Sequence, residues 1–226
     1  VEKMILSEHE KMMRQSSPAV YGLVLAGGLS TRMNEDKGSI VYRNNQAQRD
    51  LCYNILSTVC ERVFFSGRLG QTFSGVSQEN ILIDEGESKG PLAAILTAFE
   101  KHSQVAWLVL ACDLPYIDTP EIDHLLSERD PQKVATAFRS PTDQLPEPLV
   151  ALWEPSSYPV AKEFFEKGFF CPRKFLINAD VKLIDPLETQ SLINANLPAE
   201  RDAAKKYYLL NHSHMREVPS NDYTQR

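Results

Sequence analysis

The feature that most constrains this chain is a pair of short segments that are apolar on both faces, Val20 to Ala26 and Val105 to Ala111. A strand with one wet side alternates polar and apolar residues. A strand with no polar side needs cover above and below, as a central parallel strand between helical layers has. Around these two segments, strand-like and helix-like patterns alternate. Leu51, Ile55, Leu56 and Val59 mark one face of a helix over Asp50 to Glu61. Arg62 to Ser66 and Asn80 to Asp84 read as short strands, and Pro91 opens a helix that runs on from Leu92 to Lys101. Asp118-Thr119-Pro120-Glu121 has the form of an N-cap with proline in the first turn, starting a helix through Leu126. Lys133 to Phe138 and Pro148 to Trp153 predict strands joined by a polar turn, hence antiparallel; Val160 to Lys167 and Ala199 to Leu210 predict helices. The alternation predicts an α/β fold: a three-layer, Rossmann-like, open and mostly parallel sheet with helices on both faces. The expected organisation is an N-terminal extension or linker at 1–17, one domain at 18–211, and a polar tail at 212–226.

Composition narrows the function classes. With 226 residues, of which 42% are hydrophobic, the chain can bury a real core. A net charge of -6 argues against non-specific nucleic-acid binding, and no apolar run approaches the ~20 residues of a membrane span. The opening Val1-Glu2-Lys3-Met4 lacks the basic-then-apolar start of a secretion signal, so a cytoplasmic protein is expected. A valine start also hints at a piece of something longer. Cys52, Cys60, Cys112 and Cys171 contain no C-x-x-C pair, so neither a zinc site nor redox chemistry is indicated.

Chemistry concentrates where the first strand ends, in Leu25-Ala26-Gly27-Gly28-Leu29-Ser30-Thr31-Arg32-Met33-Asn34-Glu35-Asp36-Lys37-Gly38. Ligands of open α/β sheets sit beyond the carboxyl ends of the strands. Gly27 and Gly28 let backbone amides approach a phosphate with no Cβ in the way. Ser30 and Thr31 add donors, Arg32 can fork onto phosphate oxygens, and Lys37 supplies a mobile point charge. The loop therefore reads as an anion cradle sized for a polyphosphate. It contains neither the Walker G-x-x-x-x-G-K-[ST] nor G-x-G-x-x-G, which argues against a P-loop and against a dinucleotide redox cofactor. The second buried segment delivers Cys112-Asp113-Leu114-Pro115, with Asp113 as the carboxylate and Cys112 a small apolar residue.

The loop resembles the L-A-G-G-x-S-x-R-M-x-x-D-K-G signature of the nucleotidyltransferases that make the guanine dinucleotide form of the molybdenum cofactor. Gly90-Pro91-Leu92-Ala93-Ala94 is similar to that family's G-P-L-A-G, Cys112-Asp113-Leu114-Pro115 to its C-D-x-P metal motif, and Pro148-Leu149-Val150-Ala151-Leu152-Trp153 to its late P-L-x-A-L-[YW] strand. Asn194-Ala195-Asn196-Leu197-Pro198-Ala199-Glu200 resembles its closing N-[IV]-N-T-P-E-[DE], with leucine in place of threonine. The matches run in family order from about Leu25 to Glu200. Two places depart: Asn44-Asn45-Gln46-Ala47 stands where the family often has G-K-P-L, and Ser66-Gly67-Arg68 where relatives often have an asparagine turn.

The resemblance implies a nucleotidyltransferase-type fold and transfer of GMP from GTP to the phosphate of molybdopterin, with pyrophosphate released. It implies Arg32, Lys37 and Asp113 as catalytic residues and Mg²⁺ as cofactor, held by Asp113. Nucleotide contacts fall to Leu25, Ala26, Gly27, Gly28, Ser30, Lys37, Asp84, Gly90, Pro91 and Asp113, with Asp84 toward the guanine or ribose. Asn194 and Asn196 are assigned to the acceptor side, and a fused or partner biosynthesis domain is compatible. Competing readings are a cytidylyl- or sugar-phosphate nucleotidyltransferase of the same fold, and a non-catalytic nucleotide-binding module. His212 and His214, Phe164-Phe165, Phe169-Phe170 and Tyr207-Tyr208 read as solvated tail or packing residues.

Overall fold

The structure, a computed structural model, describes residues 17–26, 37–73, 76–83 and 90–211. β1 (Val20–Leu25) enters the sheet, and after a short 3-10 turn at Lys37–Ser39 the chain forms a small hairpin, β2 (Val41–Arg43) and β3 (Gln46–Ala47). α1 (Gln48–Ser57), β4 (Arg62–Gly67), β5 (Ile81–Ile83), α2 (Pro91–Lys101) and β6 (Ala106–Ala111) follow. Next come α3 (Thr119–Ser127), β7 (Ala135–Arg139), β8 (Pro146–Trp153), α4 (Ser157–Glu166), α5 (Pro172–Ile177), β9 (Val181–Ile184) and α6 (Pro198–Asn211).

Seven strands make one sheet in the order β5-β4-β1-β6-β8-β7-β9. Only β8 runs against the others, pairing antiparallel with both β6 and β7. The two doubly apolar segments are its centre, β1 and β6, as their patterning requires. Along β6, Ala106, Leu108 and Leu110 join Leu51, Ile55, Leu56, Ile122 and Leu125 in the core under α1 and α3. Trp107 and Val109 point to the other layer, with Leu92, Ile95, Phe99, Ala161, Phe175 and Leu176 of α2, α4 and α5. Burying each such large side chain contributes roughly 1.5–3 kcal/mol, so both layers are needed to hold the central strands. Gly22 permits the close seat of α1 on β1: a Cβ there would lie 3.1 Å from Leu56 and 3.2 Å from Val63.

The departure at Asn44-Asn45 has a backbone explanation. Both residues are left-handed, φ 57° and 51°, the conformation of a tight two-residue hairpin turn whose twist matches its strands. Asparagine tolerates that region best after glycine. The hairpin packs against α6 through a third cluster of Ile40, Tyr42, Ala195, Ala204 and Tyr208.

The predicted elements are present with shifted ends: α1 starts two residues early and β8 begins at Pro146. The antiparallel β7–β8 pairing is as expected. The β2–β3 hairpin, α5 and β9 were not anticipated, being too short to show a period. Among the described residues no helix is long and apolar enough to cross a membrane.

Candidate active site

After β1 the chain moves outward to β4 and β5, then returns to β6 on the other side of β1. The order reverses between β1 and β6, and open α/β sheets bind ligands in the crevice at such a point. The parallel register sets Leu25 opposite Ala111. One strand therefore ends in Leu25-Ala26 and runs on in sequence to Gly27-Gly28, beside another that ends in Ala111-Cys112-Asp113. Ala26 and Cys112 are buried at these ends, while Asp113 is half-buried at the rim.

The late asparagine segment returns to the same point. The Ala195 N–H donates to the Asp113 carbonyl at 2.8 Å, placing Asn194 and Asn196 one residue either side of that bond. Glu200, in the first turn of α6, accepts the N–H groups of Asn196 and Leu197 at 2.7 and 2.9 Å through one carboxylate oxygen. This is the returning half of a capping box, the outer acceptor being absent because leucine stands at the N-cap. The structure thus joins Asp113 and the asparagines, 81 and 83 residues apart in sequence, through the backbone.

α2 supplies the third wall. It packs on β1, β5 and β6, and its amino end lies on the carboxyl edge of the sheet, since a crossover helix runs against its strands. Gly90 precedes it with φ +84°, a left-handed conformation that a side chain would strain, and Pro91 occupies the first turn. The helix end turns the positive end of its dipole toward that edge. On the far side, Arg173 forks onto Asp143 and Glu147 at 2.9 and 2.6 Å, and Arg139 meets Asp185 at 3.1 Å. These rim charges were missed in the sequence because their partners lie 26 to 46 residues away.

Of the expected site residues, Leu25, Ala26, Gly90, Pro91, Asp113, Asn194 and Asn196 stand on this edge. Lys37 opens the 3-10 turn that leads to Ile40 and the hairpin. Gly27, Gly28, Ser30, Arg32 and Asp84 lie outside the described residues, as do His212 and His214. Among the described residues no group of three or more His, Cys, Asp or Glu side chains could hold a metal ion. Phe164 with Phe169 and Phe165 with Phe170 pack as ring pairs at 5.1 and 4.8 Å, consistent with a packing role.

A family model described as a MobA-like NTP transferase domain matches residues 22–197, from β1 through the asparagine segment. The chain belongs to this family. A molybdenum cofactor biosynthesis bifunctional protein of Synechocystis sp. is 37% identical over 187 residues, covering 82% of this chain and 53% of that protein. The chain thus spans about half the length of that relative. A molybdenum cofactor guanylyltransferase of Shewanella frigidimarina is 26% identical over 153 residues, 67% of this chain and 78% of that one. In structure, the molybdopterin-guanine dinucleotide biosynthesis protein A of Archaeoglobus fulgidus superposes with a TM-score of 0.68 at 20% identity, covering 83% of this chain and 97% of the other. That likeness establishes the doubly wound nucleotidyltransferase fold.

Proposed function

We propose that this chain transfers GMP from GTP to the terminal phosphate of molybdopterin, releasing pyrophosphate. The observation that carries the reading is the register of β1 against β6, which sets Leu25, two residues before Gly27-Gly28 in the sequence, opposite Ala111, two residues before Asp113. The names of the similar proteins support the choice of donor and acceptor.

In the reaction, an oxygen of the acceptor phosphate attacks the α-phosphorus of GTP. A new P–O bond forms, the bond between the α-phosphorus and its bridging oxygen breaks, and that oxygen leaves with the pyrophosphate. No covalent protein nucleophile is required. The protein aligns the two phosphates and stabilises charge developing on the phosphoryl oxygens. In this reading the glycine-rich segment and the amino end of α2 would stabilise that charge, with Arg32 and Lys37 as its cations. Asp113 would hold Mg²⁺, which when bound neutralises phosphate charge. Asn194 and Asn196, tied to Asp113 through Ala195, would orient the acceptor. We further infer a cytoplasmic reaction from the nucleoside triphosphate donor, and an associated biosynthesis domain from the bifunctional relative.

The test is transfer of the nucleotidyl group from GTP, CTP or UTP, each with Mg²⁺, onto molybdopterin, followed by mass spectrometry. GTP is expected to be the productive donor. Transfer from CTP alone would assign the cytidylyl reading, and GTP binding without pyrophosphate release in the presence of acceptor would assign a non-catalytic module. Lys37→Ala and Asp113→Ala should each lower turnover by about 10²–10³ with the fold retained, the scale of a lost transition-state contact. Near-normal turnover by either purified variant would remove its assigned role.

A further inference from the structure

The turn that carries Asp113 is held from four separate parts of the chain. Its carbonyls at Asp113, Leu114, Pro115 and Ile117 accept, in order, from the Ala195 N–H at 2.8 Å, Gln48 Nε2 at 3.0 Å, the Tyr208 hydroxyl at 3.0 Å and Arg43 Nη2. Arg43 Nη1 also donates to the Tyr208 oxygen at 3.1 Å, and its guanidinium lies 5.1 Å from that ring's centre. The donors come from the hairpin, the first turn of α1, the last helix and the asparagine segment. Gln48 reaches a second target: its backbone N–H donates to the Ile40 carbonyl at 2.8 Å, the residue that follows the Lys37–Ser39 turn. One residue thus links the segment bearing Lys37 to the turn bearing Asp113.

Stability alone does not account for this choice of side chains. Gln48 is 1% exposed, yet among the described residues its Oε1 has no hydrogen-bond partner, and neither does the buried Nε of Arg43. A buried polar atom left unmatched is a net cost, and an apolar side chain of the same length would avoid it. What the polar side chains add is direction, because a hydrogen bond to a carbonyl fixes the peptide where an apolar contact only fills space.

We propose that Arg43, Gln48 and Tyr208 are positioning residues that clamp the Asp113 turn against the Lys37 segment, setting how the metal-binding carboxylate meets the bound triphosphate. The inference rests on the nucleotidyl-transfer reading of this site. Burial raises the Tyr208 phenol to about 12 against the opposing pull of Arg43, so it keeps its proton and remains a donor at neutral pH.

Two variants test the clamp, Tyr208→Phe and Gln48→Met, each close in size to the original. The first readout needs neither metal nor substrate: hydrogen exchange of a peptide covering 112–118, compared with one from β6. The second is the affinity of Mn²⁺ for the protein in the presence of a non-hydrolysable GTP analogue. Each variant is expected to speed exchange in 112–118 about fivefold, the factor for one neutral hydrogen bond, and to weaken Mn²⁺ binding to a similar degree while β6 stays unchanged. Wild-type exchange and wild-type Mn²⁺ affinity in a folded variant would overturn the proposal. So would faster exchange across the whole molecule, or failure of both variants to fold, since either marks a purely structural role. If the wild-type protein with the analogue binds no Mn²⁺, the metal-dependent reading of the site fails, and exchange alone still decides whether the clamp exists.

Discussion

At the edge of the sheet opposite the site, Arg129 forks onto Glu154 with contacts of 2.6 and 2.8 Å and donates to the Pro18 carbonyl at 2.9 Å. Glu154 is 1% exposed and Arg129 13%. The pair joins the chain after α3, the end of β8 and the residues entering β1. Arg129→Met keeps the length of the stem but leaves a carboxylate buried without its cation. Breaking one side of such a pair costs about 3–5 kcal/mol. At roughly 2–4 °C per kcal/mol for a chain of this size, the melting temperature should fall by roughly 6–20 °C. The Arg129→Met/Glu154→Leu double variant should recover most of the loss, because two apolar side chains need no partner in a dry site. Arg129→Lys should fall between, as an ammonium cannot fork. Calorimetry on the four proteins reads the effect, and turnover at 25 °C should stay near wild type because the carboxyl edge is untouched. A single variant within ~2 °C of wild type would mean that Glu154 reaches water. A double variant no better than the single would trace the loss to the packing of the arginine stem.

Two further outcomes follow from local geometry. Glu200→Ala frees two N–H groups at the start of α6 and should cost about 0.5–2 kcal/mol by chemical denaturation. Under the proposed function it should also raise the acceptor KM while leaving the GTP KM unchanged. His102 packs 5.3 Å from Tyr21 and 5.1 Å from Phe64, and burial, then Arg62, lowers its pKa below the usual 6.5. As pH drops through 6.5, the unfolded chain takes the proton first, so stability declines until the folded protein also protonates. His102→Phe should flatten melting temperature against pH between about pH 5 and 7, and an unchanged slope would place the effect elsewhere.

The centre of the fold was legible because β1 and β6 carry no polar side, which admits one environment. The helices α1, α2 and α3 were legible through their apolar period and, for α2 and α3, through proline in the first turn. What escaped was short: β9 is a four-residue strand with three half-buried positions, and α5 has six residues. Neither is long enough for a period to stand out, and both exist because β7 and β8 offer an edge and a face to cover. Asn44-Asn45 departs from the family pattern in the sequence and is a sound hairpin turn in the structure, since asparagine tolerates the two left-handed conformations that the turn needs.

By itself the sequence pointed to the family and to the proposed chemistry, because a glycine-rich segment with two cations, an acidic residue after a buried strand, and a proline-led helix are each read within a few neighbouring residues. Tertiary structure decided how those parts meet. The register of β1 against β6, the return of Ala195 to Asp113, and the hold of Arg43, Gln48 and Tyr208 on one turn all join residues between 66 and 93 positions apart. Hydrogen bonds of that span leave no periodic trace in a chain, since their partners are selected by where packed helices and strands bring them together.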